Sequence, residues 1–287
     1  MTSLSLRQPA RLRALRGGMA GHRLFNRLVI SAVLLLLLMA IFGPLIAPDS
    51  ITTSNIRDAL LPPSAQHWFG TDDQGRDVFW RVVAGARESV LSAVIVVAVY
   101  SMIGTLIAAL AAVGGRVVDE TLMRFTDAAM AIPTVIFGLG FAAALGPSLK
   151  SAVIALSVTA WPVTARLLRS IIRETAAMPY VEGAQVLGVS RIRLLRRHIL
   201  PNSLDVLIVK WAADIGSTIL VISSLSFVGV GPQPPSPEWG AMVSEGQGYI
   251  ATAWWATFWP GMAIALSTMA FALFGDVVQA RLSEGRK

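Results

Sequence analysis

Cysteine is absent from the 287 residues, which excludes a disulfide framework, a thiolate metal site and a thiol nucleophile. Lysine stands only at positions 150, 210 and 287, and none of the three follows a glycine. A G-x-x-x-x-G-K-[ST] phosphate loop therefore cannot be assembled in this chain. No catalytic residues and no resident cofactor are expected. Charge is scarce as well: Asp, Glu, Lys and Arg make up 14% of the chain, against about 25% in soluble proteins. Hydrophobic residues fill 54% and gather into long uncharged runs, the mark of an all-α polytopic membrane protein.

A bilayer core takes about 20 apolar residues of helix. That ruler cuts the chain into six expected transmembrane helices, at 28–46, 89–115, 128–149, 151–165, about 203–229, and within 246–275. The fourth is short unless Lys150 and Arg166 extend their charges to the interfaces. Of the 24 Lys and Arg, 18 fall on one side: six before the first span, two between the second and third, seven between the fourth and fifth, and three at the end. Cytoplasmic loops retain positive charge, so both termini are expected to be cytoplasmic. The net charge of +7 is thus a topology signal and not a nucleic-acid footprint. His22, His67 and His198 are scattered across both sides and form no single metal site. A basic tail of 27 residues with no convincing small-x-small cleavage site suggests that the first span is retained. The expected organisation is a cytoplasmic tail at 1–27, a first helix and external segment at 28–88, a five-helix core at 89–277, and a tail at 278–287.

The segment 180–202, YVEGAQVLGVSRIRLLRRHILPN, lies on the expected cytoplasmic side. Pro179 suits a first helical turn, and Glu182 then sits near the positive end of the dipole. Val181, Ala184 and Leu187 form an apolar stripe, and Gly188 is placed to end the helix with a left-handed cap. Ser190 can cap a second helix from Arg191 to about Ile199, which Pro201 stops. Spacing alone leaves two readings open. One is a ridge that docks in a groove of another protein; the other is an amphipathic helix whose arginines 191, 193, 196 and 197 face lipid phosphates.

Other motifs carry less chemistry. Gly70-Thr71-Asp72-Asp73-Gln74-Gly75-Arg76-Asp77 lacks the ligand repeat of a calcium loop and reads first as a structural turn over the helix tops. The run 229–239 holds too many glycines and prolines for a regular helix. It is a shaped external loop whose Gln233, Pro234, Pro235, Glu238 and Trp239 either contact an external delivery protein or cover the bundle as a lid. Pro133 and Pro162 suggest kinks. Lys210 and Asp214 are charges inside the fifth span, one helical turn apart on one face. A local ion pair, a lysine snorkelling beside Trp211 and a contact in the pathway are all compatible with that spacing.

The segment 180–202 resembles the cytoplasmic loop of ABC importer permeases, whose pattern is E-A-A, three residues, G, nine residues, then I-x-L-P. Glu182, Ala184, Gly188, Leu200 and Pro201 match in register, while Gly183 and His198 depart from it. The stretches 67–77, 85–87, 225–240 and 260–276 are similar to the C-type permeases of oligopeptide, dipeptide and nickel importers. The resemblance implies a type I importer fold in the bacterial inner membrane, with no ATPase of its own. It implies two ATPase subunits docking on 179–200 through Tyr180, Val181, Glu182, Gly183, Ala184, Leu187, Gly188, Arg197 and Pro201. A second homologous permease and an external substrate-binding protein complete the system. Peptides are the expected substrate, a nickel or metal chelate the alternative. An ion-coupled secondary transporter would need repeated broken helices and buried carboxylate relays. A membrane-embedded enzyme would need paired acids or a metal cluster within the spans.

Overall fold

The computed structural model describes residues 10–48 and 51–284. Arg7, Arg286 and Lys287, counted above for orientation, lie outside the described residues. Among the described residues all regular structure is helical except one bridge between Thr71 and Asp77. Five helical stretches are long and apolar enough to cross a bilayer: Arg23–Ile46, Val78–Val113, Leu149–Ala176, Asp205–Phe227 and Trp255–Ser283. A sixth results if the pair Gly115–Met130 and Thr134–Leu145, bent by 81°, crosses as one broken span.

The helices are α1 (Ala10–Ile46), α2 (Val78–Ala86), α3 (Ser92–Val113), α4 (Gly115–Met130), α5 (Thr134–Leu145), α6 (Leu149–Thr159), α7 (Trp161–Ala176), α8 (Pro179–Val186), α9 (Arg191–Leu194), α10 (Leu200–Phe227), α11 (Trp239–Gly246) and α12 (Trp255–Glu284). The main body forms where α10 packs on α12 and α3 on α7. Its centre holds Ile219, Ile222, Leu225, Trp239 and Phe271, all buried. Leu34, Leu35, Leu38, Ile41 and Phe42 of α1 stay exposed. In a bilayer that face meets lipid tails, so its exposure costs nothing.

Several expected boundaries move, each for a physical reason. The second span starts at Val78, eleven residues before position 89, because α2 runs into α3 through the π-helical turn Arg87–Leu91. Arg81 and Glu88 are tolerated there because both are paired, so Gly85-Ala86-Arg87 lies inside the helix. The fourth helical stretch extends to Ala176, since Arg166 pairs with Asp127 at 2.9 Å and Arg169 with Asp119. Pro133 stands between α4 and α5, and Pro162 sits in the first turn of α7, so both mark new helix starts. Pro201 does not stop the second loop helix: α9 continues through the π turn Leu195–Ile199 into α10, where Pro201 occupies the first turn and needs no N–H partner. The sixth span begins at Trp255, after a 3-10 turn at Gln247–Tyr249. The first helix is already formed at Ala10.

Candidate functional site

The end of the bundle that carries 179–200 is built on its own small core. Ala108, Leu168, Ile172, Val181, Leu194, Leu195, Ile199 and Leu207 are buried together there. Val181 is fully buried and Ala184 half-buried, so the inner side of α8 anchors the helix and does not face outward. This corrects the expectation that Val181, Ala184 and Leu187 form one presented ridge. The apolar residues turned outward are Val186, 87% exposed, Leu187, 85% exposed, and Ile192 across the turn. Gly188 follows with φ of +82°, a conformation that costs most L-residues about 1–2 kcal/mol. Its N–H donates to Gln185 O at 2.9 Å, and Val189 N–H to Ala184 O at 3.1 Å, which closes α8. Gly183 and Glu182 are exposed, and a Cβ built on Gly183 meets nothing of this chain within 4 Å. Arg191, Arg193, Arg196 and Arg197 are exposed beside the apolar knob. Tyr180 ties the base of the loop, its hydroxyl accepting from Asn202 Nδ2 at 2.9 Å.

Asp119 of α4 holds the adjoining helices. It accepts from Arg169 at 2.5 and 2.7 Å and from Arg173 at 2.6 Å. Both arginines lie on α7, and the loop helix α8 begins at Pro179, three residues after α7 ends at Ala176. The carboxylate thus joins α4 to α7, the helix that leads into α8.

At the opposite end, 70–77 folds into a turn that feeds a buried charge network. Asp72 accepts from Arg76 Nε at 2.8 Å and from Arg81 Nη1. Glu245 accepts from Arg76 at 2.7 Å and from Arg81 at 3.0 Å, while Arg81 also donates to Ser236 O at 3.0 Å. Asp72, Asp73 and Glu245 bring carboxylate oxygens within 4.8 Å of one another. Two guanidinium groups already fill the space between them, so the attraction a cation would feel is largely cancelled.

Pro234 and Pro235 are exposed, with Gln233 beside them. Glu238 and Trp239 are not, which corrects their expected role in an outward contact. Glu238 caps α11, accepting from Ala241 N–H at 2.9 Å and from Ser89 at 3.2 Å. Trp239 Nε1 donates to Val82 O at 2.9 Å from a fully buried position. Gly85 permits this fit, since a Cβ there would lie 1.9 Å from Pro237 O. The lid reading therefore describes Glu238 and Trp239, and the contact reading is left with Gln233, Pro234 and Pro235.

Within the spans, Lys210 and Asp214 form an ion pair, and the Tyr100 hydroxyl of α3 donates to the same Asp214 oxygen. The lysine thus points along α10 toward its middle, away from the loop end.

A protein-family model described as a binding-protein-dependent transport system inner membrane component matches residues 101–287. The chain belongs to that family. As a permease component it is a transport subunit, in line with its multi-pass helical body. The probable D,D-dipeptide transport system permease protein DdpC of Escherichia coli (strain K12) is 44% identical over 86% of the permease and 83% of its own length. The dipeptide transport system permease protein DppC of Alkalihalophilus pseudofirmus is 37% identical over 88% and 84%, and that of Bacillus subtilis 34% identical over 88% and 81%. Among solved structures, a chain of the MetNI methionine ABC transporter aligns with a TM-score of 0.58 and 19% identity, covering 70% of this permease and 96% of that chain. The fold is that of an ABC importer permease.

The permease also carries features that periodicity did not separate. The outward knob of Val186 and Ile192 and the Asp119–Arg169–Arg173 clamp were not singled out from sequence. A hydrophobic pair flanking the left-handed glycine would have flagged the first; the second has no local signal, because its members are 50 and 54 residues apart.

Proposed function

We propose that this permease forms half of the translocation pathway of an ATP-driven importer of short peptides in the bacterial inner membrane. The observation that carries the coupling half of the reading is the loop end: an anchored short helix, a left-handed glycine hinge, and exposed Val186 and Leu187 flanked by arginines. Such a knob fits a groove in a soluble partner. Two ATPase subunits bind ATP and Mg and grip it, one on this chain and one on a second, similar permease. The peptide class is supported by three relatives that carry dipeptide in their names. Both termini and the loop face the cytoplasm, as the arginine distribution supports. An external substrate-binding protein docks at the opposite end, where Gln233, Pro234 and Pro235 are exposed. ATP-driven closure of the ATPases pushes α8, and α7 with its Asp119 clamp conveys the movement to the spans.

The test is reconstitution of the four-subunit importer with its binding protein in vesicles, with uptake and ATP hydrolysis read together. Glu182→Lys and Gly188→Asp are expected to leave insertion intact and to separate hydrolysis from uptake. Wild-type uptake by both variants overturns the coupling role.

A further inference from the structure

The permease has a small cavity inside its spans, with an ion pair on its largely apolar wall, that coupling does not explain. It measures about 230 Å³ and is lined by α3, α5, α6, α7 and α10. It opens beside two helix interruptions, with Thr134 at the start of α5 and Ala160 between α6 and α7. Lys210 and Asp214 face it together with Tyr100, Ser217 and Thr218. By contrast, the cavity of about 630 Å³ between α3 and α10 is lined by residues such as Val94, Val97, Leu106, Leu207 and Ile215.

From this geometry we infer that Lys210 and Asp214 receive the two charged ends of a dipeptide, its carboxylate on Lys210 Nζ and its ammonium on Asp214 Oδ1. The inference rests on the peptide-importer reading and adds where this subunit holds the substrate. An ammonium has three donors, and Lys210 gives one to Asp214. Asp214 uses Oδ2 for both Lys210 and Tyr100, and its Oδ1 has no hydrogen-bond partner among the described residues. Donor and acceptor capacity of opposite sign is therefore left over, side by side, on the wall of a cavity.

Charge balance selects the ligand. A lone cation or anion entering the spans would leave net charge in a low dielectric, whereas a zwitterion meets a neutral pair with each charge compensated. The volume is below the range of about 300–1,000 Å³ of whole small-molecule sites, so it houses the backbone ends and leaves the side chains outside it. Recognition by backbone ends alone accommodates varied side chains.

The test uses the full importer in vesicles with radiolabelled dialanine as probe, while ATP hydrolysis in the same vesicles reports assembly. Lys210→Met with Asp214→Leu removes both charges and leaves neither unpaired. The expected result is a loss of uptake of at least about tenfold (about 1.4 kcal/mol of binding) in vesicles that still hydrolyse ATP. The reversed pair, Lys210→Asp with Asp214→Lys, keeps an ion pair and is expected not to recover uptake. Retention of uptake by the double variant overturns the inference, and so does recovery by the reversed pair, since either outcome marks a structural pair. Should both variants fail to accumulate, Tyr100→Phe, which removes the hydroxyl that donates to Asp214 and leaves the ion pair in place, is expected to change the KM for delivered dialanine severalfold; an unchanged KM and rate overturn the inference. Wild-type vesicles that hydrolyse ATP without taking up dialanine refute the peptide reading and this inference together, whereas uptake kept by the double variant refutes this inference alone.

Discussion

Arg169 of α7 donates from Nε at 2.5 Å and from Nη2 at 2.7 Å to the two oxygens of Asp119 on α4, a bidentate pair that binds helices 50 residues apart in sequence. Arg173 adds a third bond to the same carboxylate at 2.6 Å. Bidentate geometry fixes direction as well as distance, so α4 and α7 move together at this end. Asp119→Asn keeps the shape and removes the charge that both arginines share. The expected cost is about 1–2 kcal/mol, because Asp119 is mostly buried while Arg173 is largely exposed. A lower melting temperature in detergent checks it, and Asp119→Glu is expected to recover part of the loss.

Arg81 is 1% exposed and shares Asp72 and Glu245 with Arg76. The four charges sum to zero. Removing one guanidinium by Arg81→Met leaves a buried carboxylate uncompensated, which costs about 3–5 kcal/mol. That is a large part of the stability of a typical domain. Arg81→Met is therefore expected not to accumulate in the membrane fraction, measured by immunoblot against an unaltered partner permease. Accumulation at the wild-type level would show that water reaches this network and relieves the charge.

How much of this was legible beforehand varies with the kind of signal. Uncharged runs announced the spans, since hydropathy integrates over about 20 residues and tolerates local error. The start of the second span was misplaced because Arg81 and Glu88 look like interfacial residues until their partners are known. Those partners, Glu245 and Ser236, are 164 and 148 residues away. At the loop, Gly188 was legible because one backbone conformation demands that residue type. The direction of the α8 stripe was not: three-residue spacing says which residues share a face, while burial of Val181 depends on Leu168 and Ile199 in other helices. Glu238 and Trp239 were misread because a proline-rich run looks like surface, although Glu238 is the cap that starts α11.

The outward and inward sides of α8 give opposite expectations. Leu187 and Val186 touch little of this chain, so Val186→Ser with Leu187→Ser is expected to change the melting temperature of the isolated permease by no more than about 0.5 kcal/mol equivalent. The same variant is expected to lose co-purification with the ATPase subunits. Val181→Ser instead opens the small core and is expected to cost about 1–3 kcal/mol. If the Val186 and Leu187 variant still retains its ATPases, the knob is not the grip.

Gly183 and Gly188 lie five residues apart and differ in what they require. Gly183 sits in the interior of α8 with open space around its Cα, so Gly183→Ala is expected to stabilise the helix by about 0.5–1 kcal/mol and to leave uptake intact. Gly188 also has open space, but its φ of +82° makes any added Cβ costly. Gly188→Asn, which tolerates the left-handed region, is expected to keep more uptake than Gly188→Val, whose branched side chain does not. Equal uptake by the two would mean that the turn at Gly188 can be remade in another conformation without loss of coupling. A ranking of Asn above Val at equal protein level ties transport to the backbone geometry of this one residue, because a Cβ added there meets no other part of the chain within 4 Å.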